Sequence, residues 1–110
     1  MPILREWRAE IRRALRDEYL GYVTDTGLAA YRSTPGNLGA TLAVRDLDAE
    51  RSEIVTLSWW RDHADIERFA GSDIGRARYF PKDDRYLITR PERVVHYTCA
   101  AAPPPLAQDS

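Results

Sequence analysis

The chain has little of several things that would narrow its function at once. A single cysteine, Cys99, leaves no partner for an intrachain disulfide and no cysteine cluster for a metal. Lys82 is the only lysine beside 15 arginines, and these 16 basic side chains face 17 acidic ones, for a net charge of -1. Without a basic excess there is no electrostatic footprint for nucleic acid. No apolar run is long enough to cross a membrane, and "MPILREWRAE" has no signal-peptide pattern, so a cytoplasmic protein is expected. No Ser/His/Asp order, phosphate-cradling glycine loop or metal-ligand spacing is present.

What is present is periodicity. "ILREWRAEI" alternates, with Ile3, Arg5, Trp7, Ala9 and Ile11 pointing one way and Leu4, Glu6, Arg8 and Glu10 the other, which predicts a first strand. From about Arg13 the period changes. Leu15, Tyr19, Tyr22, Val23 and Thr26 form one stripe of a helix, with Gly27 placed as its C-terminal cap. "STPGNLG" reads as a loop, "ATLAV" as a second strand and "RDLDAERS" as a charged hairpin connection. "EIVTLSWW" predicts a third strand. Val55, Leu57 and Trp59 take one of its faces, and Ile54, Thr56, Ser58 and Trp60 the other. Asp62 is placed to cap a second helix, with Asp65 in its first turn and Ile66, Phe69 and Ala70 inside. "IGRARYF" predicts one or two further helical turns ended by Pro81, and "VVHYTC" a fourth strand.

The order is β-α-β-β-α-β. It predicts an α+β, ferredoxin-like antiparallel sheet with two helices on one face. At 110 residues the chain is expected to be one domain over residues 1–99, followed by a mobile tail over residues 100–110. The third strand is apolar on both faces, so the uncovered side of the sheet needs a partner. A second copy of the chain is the simplest one.

"EIVTLSWWRDHADIERFAGSDIGRARYF" and the terminal "VVHY" resemble the antibiotic biosynthesis monooxygenase-like family, over roughly residues 3–99. The resemblance implies a homodimeric α+β barrel. It also implies one of several activities, among them cofactor-free quinone-forming oxygenation and haem degradation. The haem branch carries an Asn in the first strand, a Trp in the second helix and a ligating His after "SD". Here the first strand reads "REWRA", Phe69 stands at the Trp position and Tyr79 at the His position. Tyrosinate ligates haem in some proteins, but with all three positions replaced no cofactor is expected.

The quinone-forming branch needs less machinery. A deprotonated, electron-rich phenol itself passes an electron to oxygen, so the protein has to bind a flat apolar molecule, stabilise its phenolate and exclude water. An aromatic-lined cavity with a few polar anchors is the expectation. His96, Tyr79 and Trp60 are the catalytic candidates; Trp7, Tyr19, Tyr22, Asn37, His63, Phe69, Arg78 and Tyr86 are the candidates for binding a small aromatic or hydrophobic molecule. Each has a plainer role beside it. Trp7 and Trp60 serve a core, His63 an exposed helix start, and Asp83 and Asp84 a turn. His96 is a base if its face looks toward the helices and an interface residue if it looks toward a partner sheet. Strand histidines are more often structural, which favours the partner side. The rivals to an oxygenase are a non-catalytic barrel that binds a hydrophobic ligand, and a polyketide cyclase or isomerase using the same cavity.

Overall fold

The structure, a computed structural model, describes residues 1–104; most of the expected tail, residues 105–110, lies outside the described residues. Four strands form the sheet: β1 (Ile3–Arg12), β2 (Asn37–Asp46), β3 (Arg51–Trp60) and β4 (Val95–Thr98). Their order is β2-β3-β1-β4 and every neighbouring pair is antiparallel, which is compatible with a ferredoxin-like fold. Two α-helical regions accompany the sheet among the described residues, with a short 3-10 turn (Asp83–Arg85) in the connector before β4. The first runs from a 3-10 turn (Arg13–Leu15) through α1 (Arg16–Val23), a π-helical turn (Thr24–Leu28) and α2 (Ala29–Ser33). The second is α3 (His63–Ala70). No helix among the described residues is long and apolar enough to cross a membrane.

The alternation decides which face is buried. Ile3, Arg5, Trp7, Ala9 and Ile11 on β1 and Ser52, Ile54, Thr56, Ser58 and Trp60 on β3 are all buried. Tyr19, Val23, Leu28 and Tyr31 from the first helical region, and Ile66 and Phe69 from α3, pack over the same layer. Burying each of the large side chains contributes about 2 kcal/mol. Two clusters result. One gathers Trp7, Tyr19, Ile54 and Tyr86; the other gathers Ile3, Tyr31, Trp60 and Phe69.

The opposite face is graded. Its register rows run from Gly39–Trp59–Leu4–Tyr97, through Thr41–Leu57–Glu6–Val95, to Arg45–Glu53–Glu10. The first rows are mostly apolar, with Val95 and Tyr97 about half exposed. The last carries ion pairs, Glu53 with both Arg8 (2.7 Å) and Arg45 (2.9 Å), and Glu10 with Arg51 (2.5 Å).

Asp62 caps α3 as expected, its carboxylate accepting from the Asp65 N–H at 3.0 Å. Asp65 is buried and held below the usual carboxylate range, chiefly by its hydrogen bond from Arg61. Gly36, at φ +91°, turns the chain beside it. A Cβ there would stand 2.0 Å from the Asp65 carboxyl carbon, so only glycine fits.

Three expectations are corrected. Gly27 does not end the first helix. Its backbone stays helical within the π turn, and the helix continues to Ser33. "IGRARYF" does not coil. It runs beside the segment before β4, with Ala77 N–H bonded to Glu92 O and Val94 N–H to Gly75 O, both at 2.8 Å. Those bonds satisfy backbone groups that a helix would otherwise have to pair internally. His96 is on the helix-bearing side. It is paired in register with Arg5, whose side chain is buried, so it shares the inner face rather than the face open to a partner sheet.

Candidate functional site

Between the helical layer and the sheet lies a small cavity lined by Trp7, Tyr19, Tyr31, Thr56, Phe69, Arg78, Phe80 and Asp83, with Val23, Thr26 and Gly27 on the helix side. Its volume is about 30 Å³, room for roughly two waters. The walls come from β1, β3, both helical regions and the connector between α3 and β4.

The polar groups in this lining are ordered. Asp83 is only 4% exposed. Its Oδ1 accepts from the Tyr19 hydroxyl at 3.0 Å and its Oδ2 from the Phe80 N–H at 2.6 Å. Burial first, and then the Asp83 charge, push the Tyr19 phenol far above its ordinary value. It therefore stays protonated and donates. On the sheet side, the Tyr31 and Thr56 hydroxyls share a hydrogen bond of 3.0 Å. Trp7 forms another wall, its Nε1 donating to the Tyr79 hydroxyl at 3.3 Å.

Arg78 is the exposed member of this lining. Its guanidinium lies 4.9 Å from the Phe69 ring centre and 4.9 Å from that of Phe80, and it donates to Phe69 O at 3.0 Å. A cation between two rings is held modestly, each contact contributing about 0.5–1 kcal/mol at an exposed site.

Four of the residues expected from the sequence thus meet at the cavity: Trp7, Tyr19, Phe69 and Arg78. The others stand elsewhere. Tyr22 and Tyr86 stack with Tyr19 behind the wall, at centroid distances of 6.3 and 4.7 Å. The Tyr22 oxygen accepts from Lys82 N–H, and the Tyr86 hydroxyl donates to Glu18. Trp60 is fully buried, its Nε1 donating to Ser58 Oγ at 2.8 Å, which is a packing role. Asn37 donates to Trp59 O at the irregular start of β2. His63 is exposed at the first position of α3. The Tyr79 hydroxyl is engaged on both sides, accepting from Trp7 and donating to Pro91 O.

His96 meets Arg5 rather than the tyrosines. Its Nε2 accepts from the Arg5 guanidinium at 3.1 Å. Burial first, then the Arg5 charge, lower its pKa to about 4, so it is neutral near pH 7. The lone pair that a base would use is already engaged by a cation. The same guanidinium donates to Ile74 O and, at 3.0 Å, to Arg76 O. Arg5 and His96 therefore fasten the connector to the sheet.

Sequence reasoning missed Tyr31, Thr56 and the cavity role of Asp83. Asp83 does serve the expected turn, through its bond to Phe80 N–H, and it also faces the cavity. The buried Arg5 left a signal, a charge in the inward set of an alternating strand.

A second, larger groove of about 580 Å³ lies outside the connector, between Arg76, Tyr79, Arg90, Pro91 and Arg93. Arg90 and Arg93 are paired there with Asp84 and Asp73, and Arg90 also stacks 4.2 Å from the Tyr79 ring centre. Among the described residues no buried polar group is aimed into this groove, whereas the inner cavity has several. Among the described residues, too, no cluster of His, Cys, Asp and Glu is arranged to hold a metal. No protein-family model and no curated protein matches the chain.

Proposed function

We propose that this protein is a small-molecule enzyme of the antibiotic biosynthesis monooxygenase-like kind. It would act without metal or flavin on a flat phenolic or polyketide-like molecule. The observation that supports this reading is the inner cavity, with aromatic walls and a few buried polar groups, Asp83, Tyr19, Tyr31 and Thr56. Apolar walls with sparse, fixed polar groups are the chemistry of small-molecule sites. In such a site the substrate hydroxyl passes its proton to the Asp83 carboxylate, the resulting phenolate gives the first electron to oxygen, and the protein orients the ring and keeps water out. The cavity is small as it stands, so substrate has to displace lining groups, Arg78 and Phe80 among them.

We further propose that the chain works as a homodimer, a dimeric α+β barrel in which a second copy covers the graded sheet face. Leu4, Leu57, Trp59, Val95 and Tyr97 would form the buried part of that contact. Sedimentation at micromolar concentration tests the pairing, and a species of 12.6 kDa alone would overturn it.

A second reading is binding without oxygen chemistry, or a cyclase or isomerase reaction, in the same cavity; the volume of about 30 Å³ bears on both readings alike. Oxygen uptake with 1,8-dihydroxy-9-anthrone separates the two. Protein-dependent uptake above the spontaneous rate supports the oxygenase. Binding of the anthrone with no added uptake supports the second reading.

A further inference from the structure

The charged group buried in the cavity lining has an unusual character. Asp83 is a carboxylate in the midst of aromatic rings, and both of its hydrogen-bond partners are neutral donors from the protein, Tyr19 O–H and Phe80 N–H. Among the described residues no cation pairs with it in the cavity. The guanidinium in the same lining, Arg78, spends its hydrogen bond on Phe69 O and lies between two rings. A carboxylate oxygen accepts two hydrogen bonds. Tyr19 and Phe80 fill one position on each oxygen and leave one on each. The Tyr19 hydroxyl is committed to Asp83, and those of Tyr31 and Thr56 to each other.

We infer that Asp83 is the specificity-determining residue of the cavity, selecting aromatic ligands that carry a neutral hydroxyl donor, phenols and enols, over their methyl ethers. This inference rests on the reading of the cavity as the ligand site. A phenol entering between Phe69, Trp7 and Tyr19 brings an O–H to the open acceptor positions of Asp83. A methyl ether of the same ring buries the carboxylate more deeply and gives it nothing. Sites built to hydrogen-bond a hydroxyl discriminate strongly against analogues that lack one, because the buried polar group is left unpaired. A charged acceptor makes the difference larger than a neutral one. Tyr19 and the Phe80 N–H position Asp83 by fixing one oxygen each.

The experiment uses the whole chain and two probes, 2-naphthol and 2-methoxynaphthalene, titrated by quenching of tryptophan fluorescence. Wild type is expected to prefer naphthol by on the order of 10-fold or more, the scale of a hydrogen bond to a charged acceptor. Asp83→Asn, which keeps the size and removes the charge, is expected to bring the preference down to about 3-fold or less. Equal binding of the two probes by wild type overturns the inference, as does a preference that survives Asp83→Asn.

If that variant does not fold, the 13C carboxyl resonance of Asp83 in wild type decides. It should shift on adding naphthol and stay in place on adding the ether; the same response to both overturns the inference. If neither probe binds, the inference and the proposed function fall together. A naphthol preference without oxygen uptake from the anthrone upholds the inference and overturns only the oxygenase.

Discussion

Arg5 and Asp83 are both ionisable, both buried in the layer between sheet and helices, and both tied to the same connector, yet they do opposite things. Arg5, 1% exposed, turns its donors to Ile74 O, Arg76 O and His96. Asp83, 4% exposed, takes donors from Tyr19 and Phe80 and still faces a cavity. The first is a latch and the second a site. The partners make the difference, since a charge surrounded by backbone carbonyls holds chain in place, while one with lone pairs left over can meet a ligand. Burial alone does not separate the two.

The largest effect that would break this contrast is expected at the latch. Arg5→Leu leaves two carbonyls and an imidazole without their donor, and is expected to lower stability by about 3 kcal/mol. A urea titration measures it; a loss under about 1 kcal/mol would mean that the connector holds without Arg5. Asp83→Asn comes next, at about 2 kcal/mol, because its amide faces donors on both sides and can accept from only one of them well. If it proved as damaging as Arg5→Leu, the two residues would belong to one class.

The third test is pH. An unfolded histidine takes its proton near pH 6.5, whereas His96 in the fold does so at about 4. Between those values the unfolded chain binds more protons, so stability should fall as pH falls through that window. His96 is partly exposed, and solvent screening reduces the effect to about 1 kcal/mol. His96→Gln, which offers a carbonyl to Arg5 without titrating, should flatten that part of the profile. An unchanged profile would free His96 from the latch. The smallest effect is expected from Tyr79→Phe, about 0.5–1 kcal/mol, with a change in Trp7 emission as its Nε1 loses an acceptor.

Much of the fold was legible in the sequence because β1 and β3 alternate cleanly and a strand has period two. The same alternation grouped Ile3 with Trp7 on β1 and Ile54 with Trp60 on β3. The cap at Asp62 was legible because its chemistry is local. The face of β4 was not, since that strand is only four residues long and its residues range from half-buried to exposed. The end of the first helix was misread because glycine is a common C-terminal cap, and here it lies inside a π turn instead. The site was half legible. Trp7, Tyr19 and Phe69 announced themselves as aromatics in the right elements, and Arg78 as a charge in a segment misread as helical. Asp83 did not, because its partner Tyr19 stands 64 positions away and nothing local distinguishes a turn aspartate from one that also faces a cavity.

The π turn has a consequence for how this chain can vary. The buried stripe of the first helical region steps from Tyr19 to Val23, then to Leu28, then to Tyr31, intervals of four, five and three. The interval of five is the extra residue that the π turn absorbs. Deleting one residue among Thr24–Gly27 would turn the intervals into four, four and three, the step of an ordinary α-helix. Such an indel keeps every buried anchor on the sheet and changes only the part of the wall made by Thr26 and Gly27. The helix therefore holds a length change in reserve, one that would reshape the cavity while leaving the scaffold in register.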